Sequence, residues 1–346
     1  MYKARIREYT MHFRFPAGTS RGVLNQKKSW YIIIENDGRT GIGECSVIQG
    51  LSPDDHPLLS QKLQDLCDFV NSGNHPADFN AGMFPAVRFG IETAITDLNN
   101  GGNRILFHSG FTAGDNAIPI NGLIWMGNAD FILKQVKEKV DEGFGCLKMK
   151  IGAAEFESEL QLLKKIRKEH PQIEIRLDAN GAFSRETALL KLEELAQLNI
   201  HSVEQPIKPG EAGIMAEICE KSPIPVALDE ELIGIAGKHQ KEKLVKEIQP
   251  AYIILKPSLL GGFIPTAEWI DIARKSGTGW WVTSALESNI GLNAIAQWVA
   301  TLDIKLVQGL GTGMLYENNI TSPLYVKNAM LYYLRGTEWN ISTITE

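Results

Sequence analysis

The length, composition and charge of the chain exclude several classes of protein. Its 346 residues include 44% hydrophobic and 22% charged side chains, which is ordinary for a soluble globular protein. A formal net charge of −6 argues against nucleic acid or an anionic membrane as the main partner. The sequence contains no apolar stretch that would predict a membrane span or a secretory leader. The four cysteines are far apart, without a C-x-x-C pair, so we expect a reduced, cytoplasmic protein.

The first third of the sequence predicts a small α+β unit. Runs rich in β-forming residues predict strands at Tyr2–Phe13, Trp30–Glu35 and Gly41–Cys45. Pro16–Gly18 predicts a turn after the first of these strands. Apolar residues recur at intervals of three and four over residues 57–71 and 84–99, which predicts two amphipathic helices.

From about residue 113 the pattern changes to short apolar strands that alternate with helical stretches. We predict strands at Ala117–Asn121, Cys146–Lys150, Glu174–Asp178, Ser202–Glu204, Val226–Asp229, Tyr252–Lys256, Trp280–Ser284 and Leu306–Gly309. Amphipathic segments lie between them, most clearly at Asp130–Asp141, Glu155–Glu169 and Arg185–Leu198. This alternation predicts an α/β fold of the TIM-type (β/α) barrel class. An open doubly wound sheet has the same local pattern, but no G-x-G-x-x-G follows an early strand.

Five consecutive predicted strands end in charged residues. Lys148 and Lys150 share one face of their strand because they are two residues apart. The strands that follow end in Asp178, Glu204, Asp229 and Lys256, at steps of 28, 26, 25 and 27 residues from Lys150 onward. In a barrel these ends meet at the C-terminal mouth, where catalytic residues lie. A single such charge is ordinarily a solvated strand end, but three adjacent carboxylates repel one another unless a cation lies between them.

The three carboxylates and two flanking lysines indicate a type of chemistry. Asp178, Glu204 and Asp229, without histidine or cysteine, form a hard oxygen set that suits Mg²⁺ or Mn²⁺ rather than zinc. Lys150 and Lys256 on either side suggest proton abstraction next to a carboxylate, with the metal stabilising the developing charge. We expect Lys148 to lower the pKa of its neighbour Lys150. A Schiff-base aldolase barrel also needs a strand-end lysine, but it does not need three carboxylates.

These motifs resemble the enolase superfamily, specifically its muconate-lactonizing subgroup. The matching segments are Lys148-Met-Lys150, Asp178-Ala-Asn180, Glu204-Gln-Pro206, Asp229-Glu230, Lys256-Pro257 and Ser284-Ala-Leu-Glu-Ser288. The resemblance implies Mg²⁺ on the three carboxylates, with Mn²⁺ as a substitute. It also implies that Lys150 and Lys256 act on opposite faces of the substrate. For the fold it implies a modified (β/α)7β barrel at residues 113–315, with an α+β capping domain at 1–112 completed by 316–346.

A few segments narrow the resemblance to the o-succinylbenzoate synthase family, whose members dehydrate a cyclic carboxylate. They are residues 16–22, 41–46 and 49–51. We expect Arg21 and Ser20, on a glycine-flanked loop, to close over a small anionic substrate. The family comparison implies further substrate contacts from Asn180, Ser284, Glu287 and Gly309.

Related activities stay open at this point. Gln308–Thr312 lacks the carboxylates with which dipeptide epimerases hold a substrate ammonium group. An N-acylamino acid racemase, which uses the same lysine pair, and a muconate cycloisomerase are the alternatives within the subgroup. The sequence also leaves homo-oligomerisation open.

Overall fold

The computed structural model describes residues 1–19 and 22–345. Within these ranges the strands form an antiparallel three-stranded sheet near the N-terminus, a parallel seven-stranded sheet, and a second antiparallel three-stranded sheet. This is the TIM-type barrel with an additional α+β unit that the sequence predicts.

The N-terminal sheet has the order β1-β2-β3 and is covered by two helices. Its elements are β1 (Lys3–Thr19), β2 (Gly22–Asn36), β3 (Arg39–Ser46), α1 (Leu59–Asn71) and α2 (Pro85–Asn99). The turn predicted at Pro16–Gly18 is wrong, because β1 continues to Thr19 with a register shift between His12 and Ala17. A bulge of this kind absorbs the proline without ending the strand.

The seven-stranded sheet supplies the barrel wall. In spatial order it consists of β5 (Gly122–Ile124), β6 (Cys146–Lys150), β7 (Glu174–Asp178), β8 (Ser202–Glu204), β9 (Val226–Leu228), β10 (Tyr252–Leu255) and β11 (Gly279–Val282). The helices between and after these strands are α3 (Ala129–Asp141), α4 (Phe156–Glu169), α5 (Ala188–Ala196), α6 (Ala212–Lys221), α7 (Lys238–Ile248), α8 (Pro257–Leu260), α9 (Phe263–Ser276) and α10 (Asn289–Val299). Buried aliphatic side chains from strands and helices form one continuous core between the two layers.

The barrel closes through two isolated parallel bridges, Ile120 to Gln308 and Thr283 to Gly309. The predicted strand Ala117–Asn121 is only partly right, because Ile120 and Asn121 pair with Gln308 in the barrel whereas the pairing with β6 begins at Gly122. Its central residues form β4 (Ile118–Pro119), which pairs with β13 (Met330–Tyr333) in the third sheet, beside β12 (Leu324–Lys327). Pro119 has no N–H to donate to a central ladder, which favours this short edge pairing.

The C-terminal segment returns to the N-terminal sheet. Phe13 forms a bridge to Tyr316, and the Tyr9 hydroxyl donates a 2.9 Å hydrogen bond to the carbonyl oxygen of Asn318. Ile344, in the short helix α11 (Ser342–Thr345), is buried against Tyr31 from β2. These contacts support the predicted completion of the capping domain, although the domain boundaries themselves stay a prediction. Within the described ranges, no helix is long and apolar enough to cross a membrane.

We predict that Gly43→Ala destabilises the packing of α2 on β3. A Cβ atom on Gly43 would lie 1.9 Å from the carbonyl oxygen of Gly90 and 2.5 Å from Thr93 Oγ1, so the helix would have to move. We expect the free energy of unfolding to fall by about 1–3 kcal/mol, as for other overpacked cores. Chemical denaturation measures this, with Gly145→Ala as the control because nothing lies within 4 Å of its Cβ position. Equal losses in both variants would contradict the packing argument.

Candidate active site

The register of three parallel strands sets charged side chains in one row at the mouth of the barrel. Lys150 on β6 is the pairing partner of Asp178 on β7, and Asp178 is the partner of Glu204 on β8. Asp229 follows directly after β9. Each of the three carboxylate residues is 2% exposed, so the row lies inside the barrel rather than in solvent.

The lysines predicted from the sequence lie against these carboxylates. Lys148 Nζ is 3.0 Å from Asp178 Oδ2 and 2.6 Å from Glu204 Oε2. Lys256 donates a hydrogen bond to Asp229. The sequence predicts catalysis or metal binding for six residues on, or directly after, five successive strands. The structure brings these six residues together.

The side chain of Lys150 is positioned by a hydrogen bond to Asn180, a residue with a left-handed backbone conformation. Its Nζ donates a 2.5 Å hydrogen bond to Asn180 Oδ1 and lies 3.5 Å from Asp178 Oδ2. Asn180 has a left-handed φ of 43°, which asparagine adopts more readily than most residues. Its Nδ2 donates to Glu230 Oε1 at 3.0 Å, so the amide cannot turn freely away from Lys150.

Burial and close opposite charges shift several pKa values in the row. Burial raises the pKa of Glu204 to about 8, and the neighbouring Asp178 carboxylate adds to the shift. For Asp178, burial is outweighed by Lys148, Lys150 and Lys256, and its pKa is lowered. Burial opposes the charge on Lys148 and Lys256, but the surrounding carboxylates outweigh it and raise the pKa of both lysines. Both lysines therefore stay ammonium groups at neutral pH.

The donor set fits a hard divalent cation, although the side chains lie against lysines. Among residues 1–19 and 22–345, no three carboxylate, imidazole or thiol groups are arranged to hold a metal ion directly. Instead, the carboxylates form ion pairs with Lys148 and Lys256. The chemistry of the set still suits a divalent ion, since it consists of buried carboxylate oxygens. Burial raises the pKa of Glu204, and a cation beside this side chain would favour its ionised form.

A cavity of about 410 Å³ opens above this row. Its polar wall includes Lys148, Lys150, Asp178 and Lys256. The rest of the lining is largely apolar and comes from β2, from the loop that follows β3 and from the barrel. The apolar lining residues are Val23, Leu24, Ile48, Leu51, Leu123, Trp125, Ala285 and Leu286. Such a cavity combines a charged end with an apolar surface.

Three of the predicted substrate contacts line this cavity. They are Asn180, Ser284 and Gly309. Ser284 Oγ lies 2.5 Å from Thr312 Oγ1, and a Cβ on Gly309 would lie 2.2 Å from Thr283 Oγ1, so that position needs glycine. The expected contacts from Ser20 and Arg21 fall outside the described residues.

The placement of Glu287 does not support the substrate contact expected from the sequence. Its side chain is fully buried and is not among the described residues that line the cavity. It accepts hydrogen bonds from Ser258 Oγ at 2.5 Å and from the Ala285 amide at 2.7 Å. Glu287 therefore ties the segment after Lys256 to the loop that lines the cavity.

Glu44 is a structural link that the sequence argument missed. This fully buried carboxylate on β3 accepts hydrogen bonds from Ser29 Oγ at 2.7 Å and from the Ser288 hydroxyl at 2.6 Å. It also accepts from the backbone amides of Ser288 and Gly291, both at 2.9 Å. Glu44 thus caps α10 and holds the cavity loop before it against the N-terminal sheet.

The sequence did carry a signal for part of the cavity wall. Asn121, Leu123 and Trp125 all line the cavity and alternate with residues that do not. A period of two predicts that they share one face of a strand. The predicted strand ended at Asn121 and therefore left out Leu123 and Trp125.

Comparison with known proteins gives consistent matches along the chain. Residues 132–336 match the model of the family described as enolase C-terminal domain-like. An o-succinylbenzoate synthase from Desulfotalea psychrophila is 45% identical, over 92% of this chain and 95% of that protein. The crystal structure of MenC from the same organism has a TM-score of 0.86 at 42% identity, covering 96% of this chain and 99% of that one. A dipeptide epimerase from Enterococcus faecalis has a TM-score of 0.82 at 21% identity, which shows a shared fold.

We predict that Glu204→Gln weakens binding of a divalent metal. Glutamine keeps the shape of the side chain and removes one carboxylate of the proposed ligand set. Mg²⁺ at about 100 times its dissociation constant stabilises a folded state by about 2.7 kcal/mol. Thermal unfolding with and without MgCl₂ should show a shift for wild type and little for the variant. The exposed Glu242→Gln serves as the control. An undiminished shift in Glu204→Gln would contradict this metal site.

Proposed function

Because the chain belongs to the enolase superfamily and, within it, to the o-succinylbenzoate synthase family, we propose the following reaction for it. The protein removes water from 2-succinyl-6-hydroxy-2,4-cyclohexadiene-1-carboxylate and forms o-succinylbenzoate, a step of menaquinone biosynthesis. It is thus a carbon–oxygen lyase. The observation that carries the proposal is the 45% identity over nearly the whole chain, together with two lysines that flank three buried carboxylates.

Lys150 is the proposed general base and acid. Its amine takes the ring proton next to the substrate carboxylate, and the same group returns that proton to the departing hydroxyl. One C–H and one C–O bond break, a ring double bond forms, and water leaves from the face on which Lys150 lies. Asn180 orients the amine, because its Oδ1 accepts a hydrogen bond from Lys150 Nζ at 2.5 Å.

Lys256 and Lys148 have supporting electrostatic roles. The carboxylates around them raise the pKa of both side chains, and we propose that both act as ammonium groups. Lys256 lines the cavity and follows β10, four strands along the sheet from β6, which carries Lys150. Its charge therefore faces the ring from the other side and opposes the build-up of negative charge.

Enzymes of this superfamily use a divalent metal, and we propose that Asp178, Glu204 and Asp229 hold it here. Mg²⁺ is the proposed ion, with Mn²⁺ as a substitute. When bound, the ion would stabilise the negative charge that develops on the substrate carboxylate. The three carboxylates are the residues of the site whose chemistry matches this role.

The substrate is a small anionic carboxylate, and the cavity suits its two parts. The charged row faces the reacting carboxylate, whereas Trp125, Leu123 and Leu286 provide an apolar surface for the ring. The contact of Arg21 and Ser20 with the far end of the substrate stays a prediction. Homo-oligomerisation and a cytoplasmic location stay predictions as well.

We predict metal-dependent dehydration that requires Lys150. Ultraviolet absorbance follows the formation of the aromatic product, with Mg²⁺ or with chelator. Loss of a positioned general base typically lowers the rate by about 10²–10⁴-fold, so the dehydration rate of Lys150→Ala should be lower than that of wild type by at least this much. The exposed Lys164→Ala should match wild type. If wild type with Mg²⁺ is inactive, the proposed reaction is wrong, and exchange of the α-proton of N-acylamino acids is the next assay.

A further inference from the structure

Asn121 is a buried amide with unused hydrogen-bonding capacity in the wall of the catalytic cavity. The residue is 5% exposed and lines the cavity. Among the described residues, its Oδ1 has no hydrogen-bond partner, and its Nδ2 donates one long bond of 3.4 Å to the carbonyl oxygen of Gly122. An asparagine amide offers two donors and two acceptor sites, and burying it without partners costs free energy. The position therefore calls for a polar group from a ligand.

Asn121 lies deep in the cavity. Leu123 pairs with Lys148 across the first two barrel strands, and Asn121 is two residues closer to the closed end of the barrel on the same face. Gly309 and Gly311 line the cavity beside it. A Cβ on Gly311 would lie 3.5 Å from the backbone carbonyl oxygen of Asn121, so the lack of a side chain at Gly311 leaves space beside this residue.

The surroundings of Asn121 favour a neutral partner. The hydroxyls of Ser284 and Thr312 bond to each other, and Thr283 Oγ1 donates to the Gly309 carbonyl oxygen at 2.9 Å. The charged lining residues lie on β6 and β7 or, in the case of Lys256, directly after β10. A carboxylate bound at this depth would need a cation, whereas a ketone needs a single donor.

We propose that Asn121 is a specificity-determining residue that donates a hydrogen bond from Nδ2 to the ketone oxygen of the succinyl side chain. This role rests on the proposed function. Rotation of the amide by half a turn about the Cβ–Cγ bond brings Nδ2 to the position of Oδ1. This rotation breaks only the long hydrogen bond from Nδ2 to the carbonyl oxygen of Gly122. A tail without the ketone leaves the buried amide unpaired, and sites built around a hydrogen bond reject such analogues.

Binding of two matched ligands to the Mg²⁺-loaded protein tests this role. The ligands are o-succinylbenzoate and 4-(2-carboxyphenyl)butanoate, which has a methylene in place of the ketone. Calorimetry should show that wild type binds the keto compound about tenfold more tightly. Asn121→Leu should remove this preference, because an apolar side chain of similar size does not distinguish a ketone from a methylene. Asn121→Asp should also remove the preference for the keto ligand, because an ionised carboxylate cannot donate a hydrogen bond. This second variant keeps the test valid if the leucine variant does not fold.

A second amide in the same cavity provides the control. Gln49 is exposed and lines the mouth, so Gln49→Leu should keep the wild-type ratio of the two affinities. Equal binding of both ligands by wild type, or an unchanged preference in a folded Asn121 variant, would overturn the role of Asn121. Failure of wild type to bind o-succinylbenzoate at all would instead overturn the proposed function.

Discussion

The parallel register of β6, β7 and β8 is the constraint on which the site depends. It places Lys150, Asp178 and Glu204 side by side within a buried row. Like charges in such a place are unfavourable, and Lys148 and Lys256 compensate them as ammonium groups. A shift of one residue in any of these strands would turn its charged side chain to the opposite face. The strand pairing therefore holds the carboxylates close together, and a divalent cation bound there, as proposed, would offset their repulsion further.

The cavity depends on a second constraint, the contact between the N-terminal sheet and α10. Glu44 holds Ser288 at the start of this helix, and Glu287 holds the loop before it to Ser258. Leu286, between these anchors, has a left-handed φ of 60°, which is strained for a leucine and persists because both sides of the loop are fixed. The apolar wall thus belongs to both parts of the chain, whereas the charged row belongs to the barrel alone.

This division explains how much the sequence could predict. Strand-end charges one β/α unit apart are a local, repeating pattern, and it predicted the barrel and the six residues of the charged row. The link from Glu44 to Ser288 spans 244 residues and leaves no local pattern. The first barrel strand was only partly predicted, because Ile118 and Pro119 are as strand-like as Gly122–Ile124 and are separated from them by their pairing with β13. The buried position of Glu287 depends on side-chain packing, which a motif does not encode.

The proposed reaction depends on the removal, by Lys150, of a ring proton next to the substrate carboxylate. A single-turnover experiment with substrate deuterated at that carbon tests it most directly, because it observes the chemical step before product release. We expect slower formation of o-succinylbenzoate from the deuterated substrate with the Mg²⁺-loaded wild type. Equal single-turnover rates for the two substrates, with chemistry shown to limit the rate, would contradict it.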